Sequence, residues 1–211
     1  PMVLAAILPT AFHEADVSLA QTLTAPPASD YADSAAGDGD GFELESNGAY
    51  ADGDSLVAAN IDGSDDRHIY YGYDFDVPSD IPGDATVEGI EVRLDWYLDS
   101  DNGTSNMSVE LSWDGGSQWT SPRTDTDETT SVHTGNLGGP TDTWDRTWNA
   151  AELASASFRV RVTCSSDSPE RDFYLDWIPV TVYYAPVDHL EVAGSDTMIA
   201  GSSNEWDVTA R

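Results

Sequence analysis

Apolar and polar positions alternate through the middle of the chain. Ile90, Val92, Leu94, Trp96 and Leu98 are interleaved with Glu91, Arg93, Asp95 and Tyr97. A period of two sends one face of a β-strand into a core and the other toward water. Met107, Val109, Leu111 and Trp113 repeat the pattern against Ser108, Glu110 and Ser112. The turn-forming stretch Asp99–Ser105 lies between these runs, so they are expected to pair as a hairpin with a long loop. Further strands are expected at Ile69–Phe75, Ser157–Cys164 and Asp172–Tyr184. Pro179 cannot donate to a ladder, which places the last of these at an edge or gives it a bulge. Helical periodicity is missing apart from one turn at Asn149–Leu153. The pattern predicts an all-β, antiparallel, jelly-roll-like β-sandwich. Its expected core is Phe75, Ile90, Val92, Leu94, Trp96, Met107, Val109, Leu111, Phe158, Val160, Val162, Leu175 and Trp177.

The ends of the chain read differently. Residues 1–25 form an apolar arm in which Met2–Leu8 is a continuous apolar run and Val17–Leu23 alternates like a strand; Ala25-Pro-Pro then breaks it. So much apolar surface is expected to pack on another subunit, by strand addition to an open edge, making the arm an assembly element. The run is too short to cross a bilayer and has no basic flank. Pro1 is also what remains when an initiator Met is trimmed, which weighs toward a virion component over an exported cell-surface protein. The sandwich is expected over residues 26–185. Residues 186–211 read as the first strands of a second sandwich, or as strands completing another subunit's sheet.

Charge changes the picture of partners. Eight basic residues, all Arg, face 39 acidic ones, a net charge of −31. Such a field repels nucleic acid and anionic membranes, so neither nucleic-acid binding nor membrane insertion is expected. Two readings of the acidity stay open: adaptation to molar salt, which the absence of Lys resembles, or an ordinary acidic secreted surface with calcium at some of its turns. A single cysteine, Cys164, rules out an internal disulfide and falls on the apolar side of its strand.

Two stretches carry resemblances. Ser112-Trp-Asp-Gly-Gly-Ser-Gln-Trp119 is similar to the Asp-box hairpin, in which Ser112, Asp114, Gly116 and Trp119 would stabilise a turn. One copy does not make the propeller in which the motif recurs. Tyr70–Val92 and Phe173–Tyr184 resemble an uncharacterised β-sandwich module of phage, archaeal and bacterial surface proteins and tail fibres. Asp188–Arg211 is similar to the start of a bacterial Ig-like domain. The resemblance implies a surface or fibre component and says nothing of its ligand.

No catalytic constellation stands out. The four histidines are scattered, and no nucleophile elbow or phosphate-cradling glycine loop occurs. Among 39 carboxylates a glycosidase-like pair would arise by abundance alone, so no enzyme activity and no cofactor are expected beyond structural Ca2+. Calcium favours carboxylate and carbonyl oxygens at turns. Asp38, Asp40 and Glu43 form the first candidate set; Asp99, Asp101 and Glu110, at positions one, three and twelve of an EF-hand-like spacing, form a weaker one. Asn102 and Asn106 begin glycosylation sequons. The expected role is a non-enzymatic structural or attachment subunit of a virion fibre or spike, of halophilic archaeal virus or phage type, or of a cell-surface filament or adhesin. Its partners would be further subunits and host surface glycans. The alternative is a carbohydrate-binding module of a secreted hydrolase.

The charge yields a direct test. If it reflects salt adaptation, the melting temperature climbs steeply from dilute buffer to molar KCl, where screening shortens to about 3 Å. Full stability in millimolar calcium alone would assign the acidic residues to ion sites instead.

Overall fold

The alternation of residues 86–98 becomes the longest strand among the described residues. The computed structural model describes residues 20–61 and 65–187, together with the backbone of 190–193 and 207–210. In chain order the strands are β1 (Gln21–Ala25), β2 (Ser29–Ala32), β3 (Ala58–Asn60), β4 (Arg67–Tyr71), β5 (Thr86–Leu98), β6 (Ser105–Ser112), β7 (Arg123–Asp125), β8 (His133–Gly138), β9 (Arg159–Ser166), β10 (Phe173–Trp177) and β11 (Val180–Ala185). Two short 3-10 turns interrupt them, at Ser46–Tyr50 and Ala150–Leu153. The second begins with a capping box between Asn149 and Glu152, where the sequence shows its one helical turn. A separate unit contributes β12 (Leu190–Ala193) and β13 (Asp207–Ala210), an antiparallel ribbon. The Met2–Leu8 run and residues 194–206 lie outside the described residues.

The fold is an all-β sandwich of two antiparallel sheets. One sheet has the order β2-β4-β9-β6-β7. In the other, β5 is flanked by β8 on one side and by β10 and β11 on the other. β10 and β11 run end to end along β5, and β3 and β1 pair with them further out. The inner faces meet in one apolar cluster, in which Ile90, Val92, Leu94, Trp96, Met107, Val109, Leu111, Phe158, Val160, Val162 and Leu175 are all 0% exposed.

Several expectations are corrected. β5 and β6 do not pair as a hairpin: they lie in different sheets, and the 99–104 loop crosses between them. Alternation says only that each strand has an apolar face, and two such faces are buried equally well opposite each other as side by side. Residues 21–25 belong to the sandwich, not to a free arm, because they pair with β11 from Gln21↔Tyr184 to Ala25↔Val180. β4 ends at Tyr71; Tyr73 and Phe75 leave the sheet and stack on each other inside the core. The Pro179 expectation holds in its bulge form: the 172–184 strand is bulged between Leu175 and Trp177, and Pro179 stands between β10 and β11. It falls in the gap between β3, whose pairing with β10 begins at Leu175, and β1, whose pairing with β11 ends at Val180. No outer strand needs its missing N–H there, while its carbonyl still accepts Arg93 N–H at 3.1 Å.

Polar clasps join the sheets. Asp125 of β7 accepts the Trp96 indole N–H at 2.9 Å and is bonded to His133 Nε2 at 3.1 Å. Gly135 leaves the room: a Cβ there would stand 1.9 Å from the carboxylate. Nearby, Arg123 forks onto Asp142 at 3.2 Å and reaches Asp145 at 3.1 Å. Asp142 in turn accepts the backbone N–H of Trp144, whose indole donates to the Ile90 carbonyl at 2.9 Å.

Replacing Leu94 by Ala, in the middle of the cluster, is expected to cost about 2–5 kcal/mol in chemical denaturation. Arg123 holds the Asp142 carboxyl below its ordinary value of 3.8. A depressed carboxyl contributes stability that is fully present above the unfolded value and is lost as pH falls through the folded one. Asp142→Asn is therefore expected to be less stable than wild type at pH 7, with the deficit closing below pH 3.8. Urea titrations of dilute protein read both effects.

Candidate functional site

The outer face of the β5 sheet collects the polar half of the alternation. Glu91, Arg93, Asp95 and Tyr97 project from β5, opposite the core residues that precede and follow each of them. β8 sets Asn136 beside Arg93 and Thr134 beside Asp95, while β11 sets Thr181 beside Glu91 and β1 sets Thr24 beside Thr181. The resulting open trough of about 570 Å³ runs across four strands, with Trp177 on its wall.

Trp177 is expected in the core from its spacing, and the structure corrects this. A bulge between Leu175 and Trp177 leaves Asp176 as an extra residue, so Leu175 registers with Trp96 and Trp177 with Asp95. One inserted residue flips every following side chain to the other face. Trp177 thus lies half-buried on the outer face, with the Arg93 guanidinium 4.7 Å from its ring centre. Further along the same face Tyr97 stacks on Tyr174 at 4.7 Å with an interplanar angle of 13°.

The charges on this face are held in place. Arg93 grips Asp95 with both Nε (2.9 Å) and Nη2 (2.6 Å), and Thr134 Oγ1 donates to Asp95 Oδ1 at 2.6 Å. Asp95 is only 2% exposed, and both its oxygens are engaged, which removes it as a nucleophile or general base. Burial, then the charges of Asp52, Asp95 and Asp54, push the Asp176 carboxyl up. Arginine, carboxylate, amide and hydroxyl groups beside aromatic rings suit a ligand with many hydroxyls and apolar ring faces.

The two described histidines are committed elsewhere. His68 Nδ1 accepts the Phe42 N–H at 3.0 Å, so its Nε2 carries the proton and donates to Asp30 at 2.7 Å. Burial holds its pKa down, against the pull of Asp30. Asp125, His133 and Thr129 form a file resembling a hydrolase triad, with His133 Nδ1 3.4 Å from Thr129 Oγ1. Thr129 gives its hydroxyl proton to the Ser131 carbonyl, and Asp125 is occupied by Trp96. Cys164 is fully buried, and burial followed by the charges of Asp66 and Glu43 raises its thiol pKa well above the ordinary range.

Of the sequence-derived calcium sets, Asp38 and Asp40 come together, but the third member is Asp66. Glu43 instead accepts the Ile61 N–H at 2.8 Å. Asp66 is remote in sequence and carries no spacing signal that ties it to Asp38. Asp99, Asp101 and Glu110 form no cluster among the described residues: Asp99 binds Arg171 at 2.8 Å, and Glu110 on β6 binds Arg161 of β9 at 2.7 Å. Asn102 is exposed in the 99–104 loop, whereas Asn106 is half-buried on β6. Within the Asp-box stretch, Asp114 Oδ1 accepts the N–H groups of Ser117 (3.0 Å) and Gln118 (2.9 Å), and Ser112 Oγ accepts that of Gly116 at 2.9 Å. Trp119 lies under the Arg161 guanidinium at 4.2 Å.

No protein-family model matches the chain, and no curated protein does. Solved structures give distant matches. A family two carbohydrate esterase from Cellvibrio japonicus is 11% identical with a TM-score of 0.34, over 80% of this chain and 37% of that one. The CBM36-1 domain of a multidomain xylanase from the hindgut metagenome of Trinervitermes trinervoides is 9% identical with a TM-score of 0.37, over 79% of this chain and 100% of that one. The xylan-binding module CBM15 is 13% identical with a TM-score of 0.35, over 62% and 78%. The chain spans just over a third of the esterase, and likeness at this level carries no argument about what this chain binds or does.

Proposed function

We propose that this chain is a non-catalytic attachment module of a virion-surface or cell-surface appendage, and that it holds host glycans on the outer face of the β5 sheet. The observation that carries the reading is the trough. Its wall is an aromatic ring brought outward by a bulge, and its floor is a row of hydrogen-bonding side chains fixed by strand register. Sugars stack their apolar faces on aromatic rings and spend their hydroxyls on such groups. The inert state of Cys164, Asp95 and the Asp125–His133 pair supports binding without catalysis. The acidic surface fits a role away from nucleic acid and anionic lipid.

A carbohydrate-binding module of a secreted hydrolase would use the same face, and quaternary state separates the two. A fibre or filament subunit appears in repeated copies when native appendages are imaged and their chains identified by mass spectrometry; a hydrolase module appears as a monomer beside a catalytic domain. For the binding face, Trp177→Ala and Asn136→Ala are expected to weaken polysaccharide binding about tenfold or more in calorimetry while the protein stays folded. A protein that binds no polysaccharide in a broad panel, or variants that bind as wild type does, would sink the glycan reading.

A further inference from the structure

Among the described residues the trough has one cation in its lining, Arg93, and carboxylates of the protein already claim it. Its Nε and Nη2, a fork with which an arginine grips a carboxylate, are both on Asp95, at 2.9 and 2.6 Å. Nη2 also lies 3.9 Å from Asp52, in the loop that follows the Ser46–Tyr50 turn. From β1, β8 and β11 the lining receives only uncharged side chains: Thr24, Thr134, Asn136 and Thr181.

Negative groups outweigh this cation at both ends of the trough. At the Trp177 end, one carboxylate oxygen each from Asp52, Asp95 and Asp176 lies within 4.8 Å of the others. Asp176 is the extra residue of the bulge that turns Trp177 outward. Burial, then the charges of Asp52, Asp95 and Asp54, push its carboxyl up, and Arg93 is the smallest influence, in the opposite direction. At the other end stands Glu91, beside Thr181 of β11. Arg93 pairs with Asp95 and Asp52 and not with Glu91. The charge of Glu91, after burial, raises the pKa of Tyr183, two residues along β11.

A saccharide that carries a carboxylate would bring it against these groups with no uncommitted cation in the lining to receive it. Desolvating a charge beside like charges is opposed, whereas a hydroxyl placed there gives its proton to a charged acceptor in a strong hydrogen bond. The same carboxylates thus repel an anion and hold a neutral sugar. We infer that the trough selects uncharged saccharides over uronates, and that Glu91 and Asp176 set this preference. The inference rests on the glycan reading of this face and names its ligand class. The ligand is a neutral, hydroxyl-rich chain whose ring faces meet Trp177 and whose hydroxyls meet Glu91, Thr134, Asn136 and Thr181.

The test is calorimetric titration of the full chain with matched oligosaccharides that differ only in a C6 hydroxymethyl or carboxylate: glucose against glucuronate, mannose against mannuronate, galactose against galacturonate. Molar KCl shortens screening to about 3 Å, so that remote acidic residues drop out and groups touching the ligand remain. Wild type is expected to bind a neutral member at least about tenfold more tightly than its uronate. Glu91→Gln and Asp176→Asn keep side-chain size and are each expected to narrow that gap about threefold or more. Asp101→Asn, exposed in the 99–104 loop, should leave the gap as it is. A uronate bound as tightly as its neutral partner overturns the inference and leaves the glycan reading standing. So does a gap that neither trough variant narrows, or that Asp101→Asn narrows equally. Binding of no member of any pair sinks the glycan reading and this inference with it. Should one trough variant fail to fold, the other and the wild-type gap decide.

Discussion

Burial of the inner face of β5 is the contact on which the remaining architecture depends. Ile90, Val92, Leu94 and Trp96 are wholly enclosed by the apolar sides of both sheets, and the strand pairs with neighbours along both of its edges. Because strand residues alternate, fixing this face inward fixes Glu91, Arg93, Asp95 and Tyr97 outward. The trough is therefore a consequence of the core. Its threonines and Asn136 reach it through strand pairing, and Trp177 through a single extra residue in β10.

The described cations of this acidic chain are engaged inside its own structure. Among the described residues, seven arginines are all engaged. Arg67, Arg93, Arg123, Arg146, Arg161 and Arg171 pair with carboxylates, and Arg159 donates to the carbonyls of Ser155, Ala156 and Phe158. Five of them also lie over aromatic rings, as Arg146 does between Trp113 and Trp148. A planar guanidinium can fork onto a carboxylate and stack on a ring at once, and an ammonium cannot. That double duty gives a physical reason for Arg at these sites, and it places these cations in internal contacts rather than on a phosphate backbone.

How much was legible in advance depended on whether a signal was local. The faces of β5, β6 and β9 could be read from alternation alone, since burying every second residue is a property of one strand. The turn at Ala150–Leu153 and the Asp114 hairpin are likewise local, with their partners within a few residues. Which strands share a sheet was not legible. The β5 and β6 runs look the same whether they pair edge to edge or face each other across a core, and only packing separated them. Residues 21–25 read as a free strand because the open edge of β11 that receives them is more than 150 residues away.

Functional groups divide along the same line. Asp38 and Asp40 could be picked out as carboxylates in one glycine-rich turn, but Asp66 and Asn60 join them only through the meeting of two sheets. Trp177 could be recognised as a strand tryptophan and Pro179 allowed for a bulge in its strand, but that Asp176 is the extra residue, which sets the direction of Trp177, was not legible. The sequence by itself determined the all-β class, the inner faces of the central strands and the acidic, lysine-free surface, because these follow from composition and a period of two. Strand partners, the trough and the composition of the acidic cluster were decided by tertiary structure, because they depend on register and on contacts between residues that only folding brings within a few ångströms.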